Sequence, residues 1–582
     1  MRRSGTGATQ YGDPDRYRTG FMLKASPYLV AAILAGPVAA GALGALVPSF
    51  GFLPALGHDT FGLSVWRDLL DWPGIGGSVL LSLVSGLVTA GLALALAMLF
   101  LAVFFETRAF TWLRKAIAPL LAVPHAAAAF ALAFLIAPSG FLARLMSPWA
   151  TGWQRPPDLL IVQDELGLSL MAGLVMKEVP FLLLVALAPL AQIRAVERMR
   201  MARALGYGRI AAWFKTVVPA LYPLLRLPIY AVIAYSSANI DVALILGPVS
   251  PPPLAVQVLR WSNDPELDYR LIAAAGAVLQ FGVTAAAIAL WVAAERTLIG
   301  LGRGWIESGN RTLAEQGLGL LGRVMFPALL LSAGLGILAL GLSAFARVWR
   351  FPDPFPSRWT LEHWQTVGET ASGPLWSTIW IALTATGLSL ALVLAMLENE
   401  RRTGRRASRA LELVFYLPLL VPQIGFLFGL VLLAELAGIA PGGALVAAGH
   451  VIFVLPYVYL TLSESYRRLD PAWGRLARTL GHSEGGVFWK VILPMVLTPT
   501  LAAFAVGLAV SIGQYLVTRL LGAGRIDTVT TEAIALAAGG DRRLIGAWAL
   551  TQAVLPILGF ALALAAPRLV WRHRRGMLGA AQ

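Results

Sequence analysis

RMARALGYGRIAAWFKTVVP, residues 200–219, and RLARTLGHSEGGVFWKVILP, residues 475–494, are one phrase written twice. In each copy an Ala-Arg pair is followed by x-Leu-Gly, and a Pro stands thirteen residues after that Gly (Gly206 to Pro219, Gly481 to Pro494). A Gly lets the chain leave a short helix, and a Pro, lacking an N–H, marks where the next helix begins. Trp213, Phe214, Phe488 and Trp489 lie between them and suit a membrane–water interface. Each copy sits between very apolar segments. A basic, amphipathic patch repeated on the rim of a membrane protein predicts a docking surface for a two-fold symmetric partner.

The rest of the chain supplies the membrane. Of its 582 residues 58% are hydrophobic and 13% charged, far below the roughly 25% charged residues of soluble domains. Apolar runs near twenty residues recur along the whole length, each long enough to span a bilayer as a helix. Alternating barrel strands are not seen, and helices satisfy their own backbone groups in lipid. The net charge of +15 does not point to nucleic acid, because Lys and Arg gather mainly in every second loop while Asp and Glu divide nearly evenly. That is the positive-inside pattern. There is no Cys, which excludes disulfides and thiolate metal sites.

Twelve spans are expected, near 25–49, 77–104, 113–137, 167–191, 218–246 and 271–294, then 324–345, 374–397, 411–435, 443–464, 493–520 and 544–567. The basic loops around 105–115, 192–217, 295–323, 398–410 and 465–492 should be cytoplasmic, with both termini inside. The apolar run after the basic N-terminal stretch is too long for the core of a signal peptide and lacks a clear cleavage site, so it reads as an uncleaved first span. The expected organisation is a tail (1–24), a first repeat (25–302), a glycine-rich linker (303–322), a second repeat (323–567) and a second tail (568–582). Further matches support the duplication: Ala172-Gly173 before Pro180 against Ala448-Gly449 before Pro456, and Val123-Pro124-His125 against Val421-Pro422-Gln423. Six spans per half give parallel repeats related by an axis along the membrane normal, with the pathway expected at their interface.

Ionisable groups inside a bilayer are expensive and often functional. Lys177 and Glu178 fall in the fourth span, and Tyr235, Asn239 and Asp241 in the fifth. Gln514, Tyr515 and Arg519 fall in the eleventh, with Asn239 and Gln514 each twenty residues after their Pro. His125 and Gln423 follow Pro124 and Pro422. These ten are candidate pathway residues. Helical spacing puts Tyr235 with Asn239, and Gln514 with Arg519, on one face. The competing reading is interhelical bonding, including a Lys177–Asp241 ion pair and kink packing at His125 and Gln423. Among the five Lys none follows a Gly, so a phosphate-cradling G-x-x-x-x-G-K-[ST] loop is excluded. No catalytic constellation is present, and the chain should not be an enzyme.

The two phrases resemble the cytoplasmic EAA loop of permease subunits in bacterial ATP-binding-cassette importers. Ala202 and Ala477 match the loop's second Ala, Leu205-Gly206 and Leu480-Gly481 its centre, and Pro219 and Pro494 its end. The motif's Glu is replaced by Arg200 and Arg475, with Arg203 and Arg478 three residues on. A single chain with two such halves looks like the fused permeases of ferric-iron and thiamine importers, or Ynj-type permeases. The resemblance implies an all-α, type I importer permease fold in the bacterial inner membrane. It implies two copies of a cytoplasmic ATPase, which would hold the ATP and magnesium, and a periplasmic solute-binding protein. This chain itself should hold no cofactor or metal. The alternative is a gradient-driven transporter of two six-helix halves, which explains the repeat but not the paired loops.

Overall fold

The computed structural model describes residues 21–111, 122–537 and 539–570. Most of both expected tails, and the start of the expected third span, lie outside the described residues. Ten helices among those described are long and apolar enough to cross a membrane, or twelve if each of two bent pairs is one span. The first six segments run Phe21–Ser49, Ile75–Phe104, His125–Ile136 (extended by Phe141–Met146), Leu168–Gln192, Val218–Ser237 and Tyr269–Glu307. The next six run Glu315–Phe345, Ser372–Thr403, the pair Arg409–Leu420 and Gln423–Leu436, Gly443–Arg467, Leu497–Ile512 and Arg542–Val570. They are referred to below as the first to twelfth spans. The ninth bends by 91° between Leu420 and Gln423, where Pro422 keeps Val421 out of the helical region. Little else is strand: Ala346–Val348 pairs with Arg358–Trp359.

Two expected spans end early, and at matching places. The fifth was expected to continue to 246 but stops at Ser237 and restarts as Asp241–Leu246. The Asn239 side chain accepts the Val242 N–H at 2.8 Å, so it competes with the helix and caps the new one. The eleventh was expected to run to 520 but stops at Ile512 and restarts as Leu516–Leu521. Its freed Ile512 carbonyl is taken by the Thr530 hydroxyl. The 303–322 linker is also mostly helical. Only 308–314 is not, because single glycines such as Gly302, Gly304 and Gly317 cost a helix only about 1 kcal/mol each.

The halves are interlocked. The first span packs on the ninth, and the seventh packs on the third. Small residues make both crossings possible. A side chain at Gly41 would strike the Phe426 carbonyl, one at Gly44 the Gly429 carbonyl, and one at Gly336 the Ala131 carbonyl. Each half thus lends its first span to the other, and one apolar cluster draws residues from both.

Candidate functional site

Both repeated phrases fold as short helices at one rim of the bundle, Ala195–Ala204 and Pro471–Thr479. Each ends in the same turn. Gly206 and Gly481 have φ of +85° and +83°, a conformation natural to glycine. The N–H after each Gly reaches back, Tyr207 to the Ala202 carbonyl and His482 to the Ala477 carbonyl, both at 3.1 Å. This double-bonded glycine ending satisfies carbonyls the helix leaves open. Each chain then forms one π turn, Trp213–Val217 and Phe488–Ile492. The following Pro219 and Pro494 have no N–H to give to the carbonyl four residues back, which favours the wider turn.

Burial sorts the faces alike in both copies. Ala202 and Ala477 are buried against their π turns. Leu205 and Leu480 are exposed by 64% and 72%, beside exposed Met201 in one copy and Trp473 and Leu476 in the other. The same apolar tip is therefore exposed in both copies. Arg200, Arg203 and Arg475 are exposed, and Arg200 lies 3.6 Å from Glu106. Arg478 differs from its counterpart Arg203: it turns inward and donates to Glu484 at 3.0 Å.

The anchors behind the two helices carry opposite charge. Arg209 donates to the Ala102 and Phe105 carbonyls at the end of the second span. At the matching place of the second copy stands Glu484. It accepts from Arg401 at 2.9 Å, at the end of the eighth span. Arg401 and Arg402 also chelate Glu398, at 2.6–2.7 Å, and the Tyr466 hydroxyl donates to the same carboxylate at 2.7 Å. Sequence reading missed Glu484, Glu398 and both arginines as anchors. Only the acidic-then-basic order on one helix hinted at them.

The candidate pathway residues split. His125 Nε2 stands 3.5 Å from Glu178 Oε1, and its ring centroid is 4.9 Å from that of Tyr235. Asp241 and Glu178, and Tyr457 of the other half, lie close around Tyr235. Arg519 and, across the interface, Asp241 lie near Tyr515. His125, Tyr235, Asp241, Tyr457, Gln514 and Tyr515 are all half-buried. The cluster therefore joins both halves beside the two broken helices, where unwound backbone offers polar groups. Tyr457 was not foreseen: unlike Tyr235 and Tyr515 it has no Asn, Asp or Gln beside it in the sequence to mark its span. Lys177 donates to the Val123 carbonyl at 2.6 Å. The break at Gly513–Tyr515 removes the continuous face expected for Gln514 and Arg519, and Arg519 is exposed. Gln423 opens its helix after the bend. Another unforeseen polar group is His450, buried between the Ser511 and Thr518 hydroxyls at 2.8 and 3.0 Å. Among the described residues no group of His, Asp and Glu is placed to hold a metal ion.

Two rim loops on matched turns and a polar break between interlocked six-span halves define a membrane permease. The chain belongs to the permease subunits of ATP-binding-cassette transporters, the binding-protein-dependent inner-membrane components. The family of binding-protein-dependent transport system inner membrane components matches residues 387–567. The chain is 30% identical over 570 residues to the inner membrane ABC transporter permease protein YnjC of Escherichia coli, covering 97% of this chain and 99% of that one. Shorter matches include the spermidine/putrescine permease PotC of Haemophilus influenzae (24% over 152 residues, 26% of this chain and 59% of that one). Another is the molybdenum permease ModB of Mycobacterium bovis (30% over 141 residues, 22% and 51%). The chain is thus a multi-pass inner-membrane transport component, and membership implies an ATPase and a solute-binding protein as partners.

Proposed function

We propose that the chain carries a small solute, released by a periplasmic binding protein, into the cytoplasm while two copies of an ATPase sit beneath it, one on each rim loop. The observation that carries this reading is the paired geometry: two helices with the same glycine ending, the same π turn and the same exposed Leu. ATP-driven closure of the two ATPases would move both helices and turn the repeats 25–302 and 323–567 about their interface. The rim loops and both termini are then cytoplasmic, and 346–373 faces the periplasm. The central cluster would be the route. Glu178 and Asp241 beside three tyrosines favour a cation, in the range of iron or thiamine, with aromatic faces to meet it.

The test is transport in liposomes holding the chain with its co-purified ATPase, with and without ATP, against candidate binding proteins. ATP-dependent uptake is expected. Gradient-driven uptake without the ATPase would favour a secondary transporter. Asp241→Asn should then lower uptake while the ATPase stays bound. Loss of melting temperature with unchanged uptake would make Asp241 a packing residue. Sidedness follows from single cysteines in this Cys-free chain. Arg203→Cys should react with an impermeant label only from the cytoplasm, and Leu361→Cys only from outside.

A further inference from the structure

We infer that Glu315 ties the first rim loop to the seventh span, so that displacement of that loop is delivered to the second half of the chain as well as to the first. The inference rests on reading the rim loops as ATPase docking sites. Its starting point is a difference of one residue between the copies. After each glycine turn a new helix begins, with Gly208 and Ser483 at the equivalent capping position. Their backbones match, with φ and ψ of −61° and 162° against −64° and 160°. Ser483 caps its own helix, its hydroxyl accepting the Gly486 N–H at 3.2 Å. Gly208 has nothing to offer, and the N–H groups of a first turn need acceptors.

The missing acceptor comes from the other half. Glu315, the first residue of the seventh span, takes the Ile210 N–H at 2.9 Å and the Ala211 N–H at 2.8 Å, one on each carboxylate oxygen. The Gly208 N–H goes to the Arg311 carbonyl at 2.9 Å. Lys215, from the π turn, donates to the Trp305 carbonyl at 2.8 Å and lies over the Trp305 ring. Segment 305–315 therefore wraps the first loop. Gly208 is also the residue that makes room, since a side chain there would collide with the Glu315 carboxylate. From Glu315 the seventh span runs to its crossing with the third at Gly336 and Ala131, on the helix that His125 begins. A continuous route joins the first loop to the polar cluster through the other half's own span.

Hydrogen exchange of the full chain with its co-purified ATPase, read by mass spectrometry, tests this. In Glu315→Ala, exchange at Ile210 and Ala211 should rise about tenfold or more, as expected when bonds to a carboxylate are lost. Exchange at 484–487 should not change. Adding Gly208→Ser to Glu315→Ala restores a local cap of the second loop's kind, and protection should return. The tether should not return with it. ATP should alter exchange at 315–323 in the wild type, and that difference should be absent from both variants. Unchanged protection in Glu315→Ala would overturn the inference, as would a double variant that regains the ATP response, since Glu315 would then be only a cap. A wild type that retains no ATPase would defeat the functional reading instead, and the protection measurement would still judge the bonds.

Discussion

The two rim loops share a backbone but not a foundation. The second is anchored within its own half, by a carboxylate and three arginines: Glu484 against Arg401, Arg402 and Arg478, with Glu398 buried beneath. The first is anchored by single bonds to carbonyls at Ala102 and Phe105 and by acceptors borrowed from the far side of the linker. Charge is even reversed at the matching position, Arg209 against Glu484. Fusion explains why this is possible. Only the first loop has a following half whose leading helix can reach it, so a duplicated surface came to rest on two different supports while its exposed tip stayed the same.

Breaking the supports one at a time should expose the difference. The largest effect is expected from Glu398→Ala. Removing a buried carboxylate leaves Arg401 and Arg402 without it and should cost about 3–5 kcal/mol. The readouts are a lower melting temperature and easier proteolysis at 471–490. Glu106→Ala, beside the first loop, removes an exposed pair with Arg200 and should cost less than about 1 kcal/mol. Equal losses in the two variants would remove the distinction between the loops.

Next in size come the glycine turns. Gly206→Val and Gly481→Val both force a β-branched residue to positive φ, at about 1–2 kcal/mol or more. Gly206→Val should be the worse, because Arg311 lies 3.3 Å from where its side chain would begin, whereas Gly481 faces open space. Retention of the ATPase on a column, compared between the two, checks the order. The smallest effect is expected from Arg203→Glu. It reverses an exposed charge and should change mainly the rate and salt dependence of ATPase binding. Arg478→Glu should instead disturb the loop itself, by setting like charge against Glu484. Binding kinetics at two salt concentrations separate these outcomes.

Much of this was legible in the sequence because it is local. The loop phrase carries its own glycine turn, its helix and its proline, and the apolar runs mark the ten long spans and the two bent pairs among the described residues. What escaped reading depends on partners far along the chain. Glu315 stands 105 residues from Ile210, and nothing in its own neighbourhood marks it as a cap. The crossings at Gly41, Gly44 and Gly336 look like any small residues in a span. The breaks after Ser237 and Ile512 were hidden inside apolar runs, where hydropathy continues although the helix does not. Asn239 was noticed as polar, but its action on the backbone needed the fold. Arg478 and Arg203 look alike in the two phrases, and the partner that turns Arg478 inward, Glu484, lies six residues on, beyond the turn.

On the function proposed above, the two loops are equivalent docking sites on unlike foundations, each holding one ATPase. Native mass spectrometry of the purified complex tests it most directly. The exposed tips can be spoiled separately by Leu205→Asp and Leu480→Asp, each expected to weaken its own site by about tenfold or more. Two ATPase copies are expected on the wild-type chain, one on either single variant, and none on the double variant, with melting temperature unchanged throughout. A double variant that still carries two copies would contradict the account.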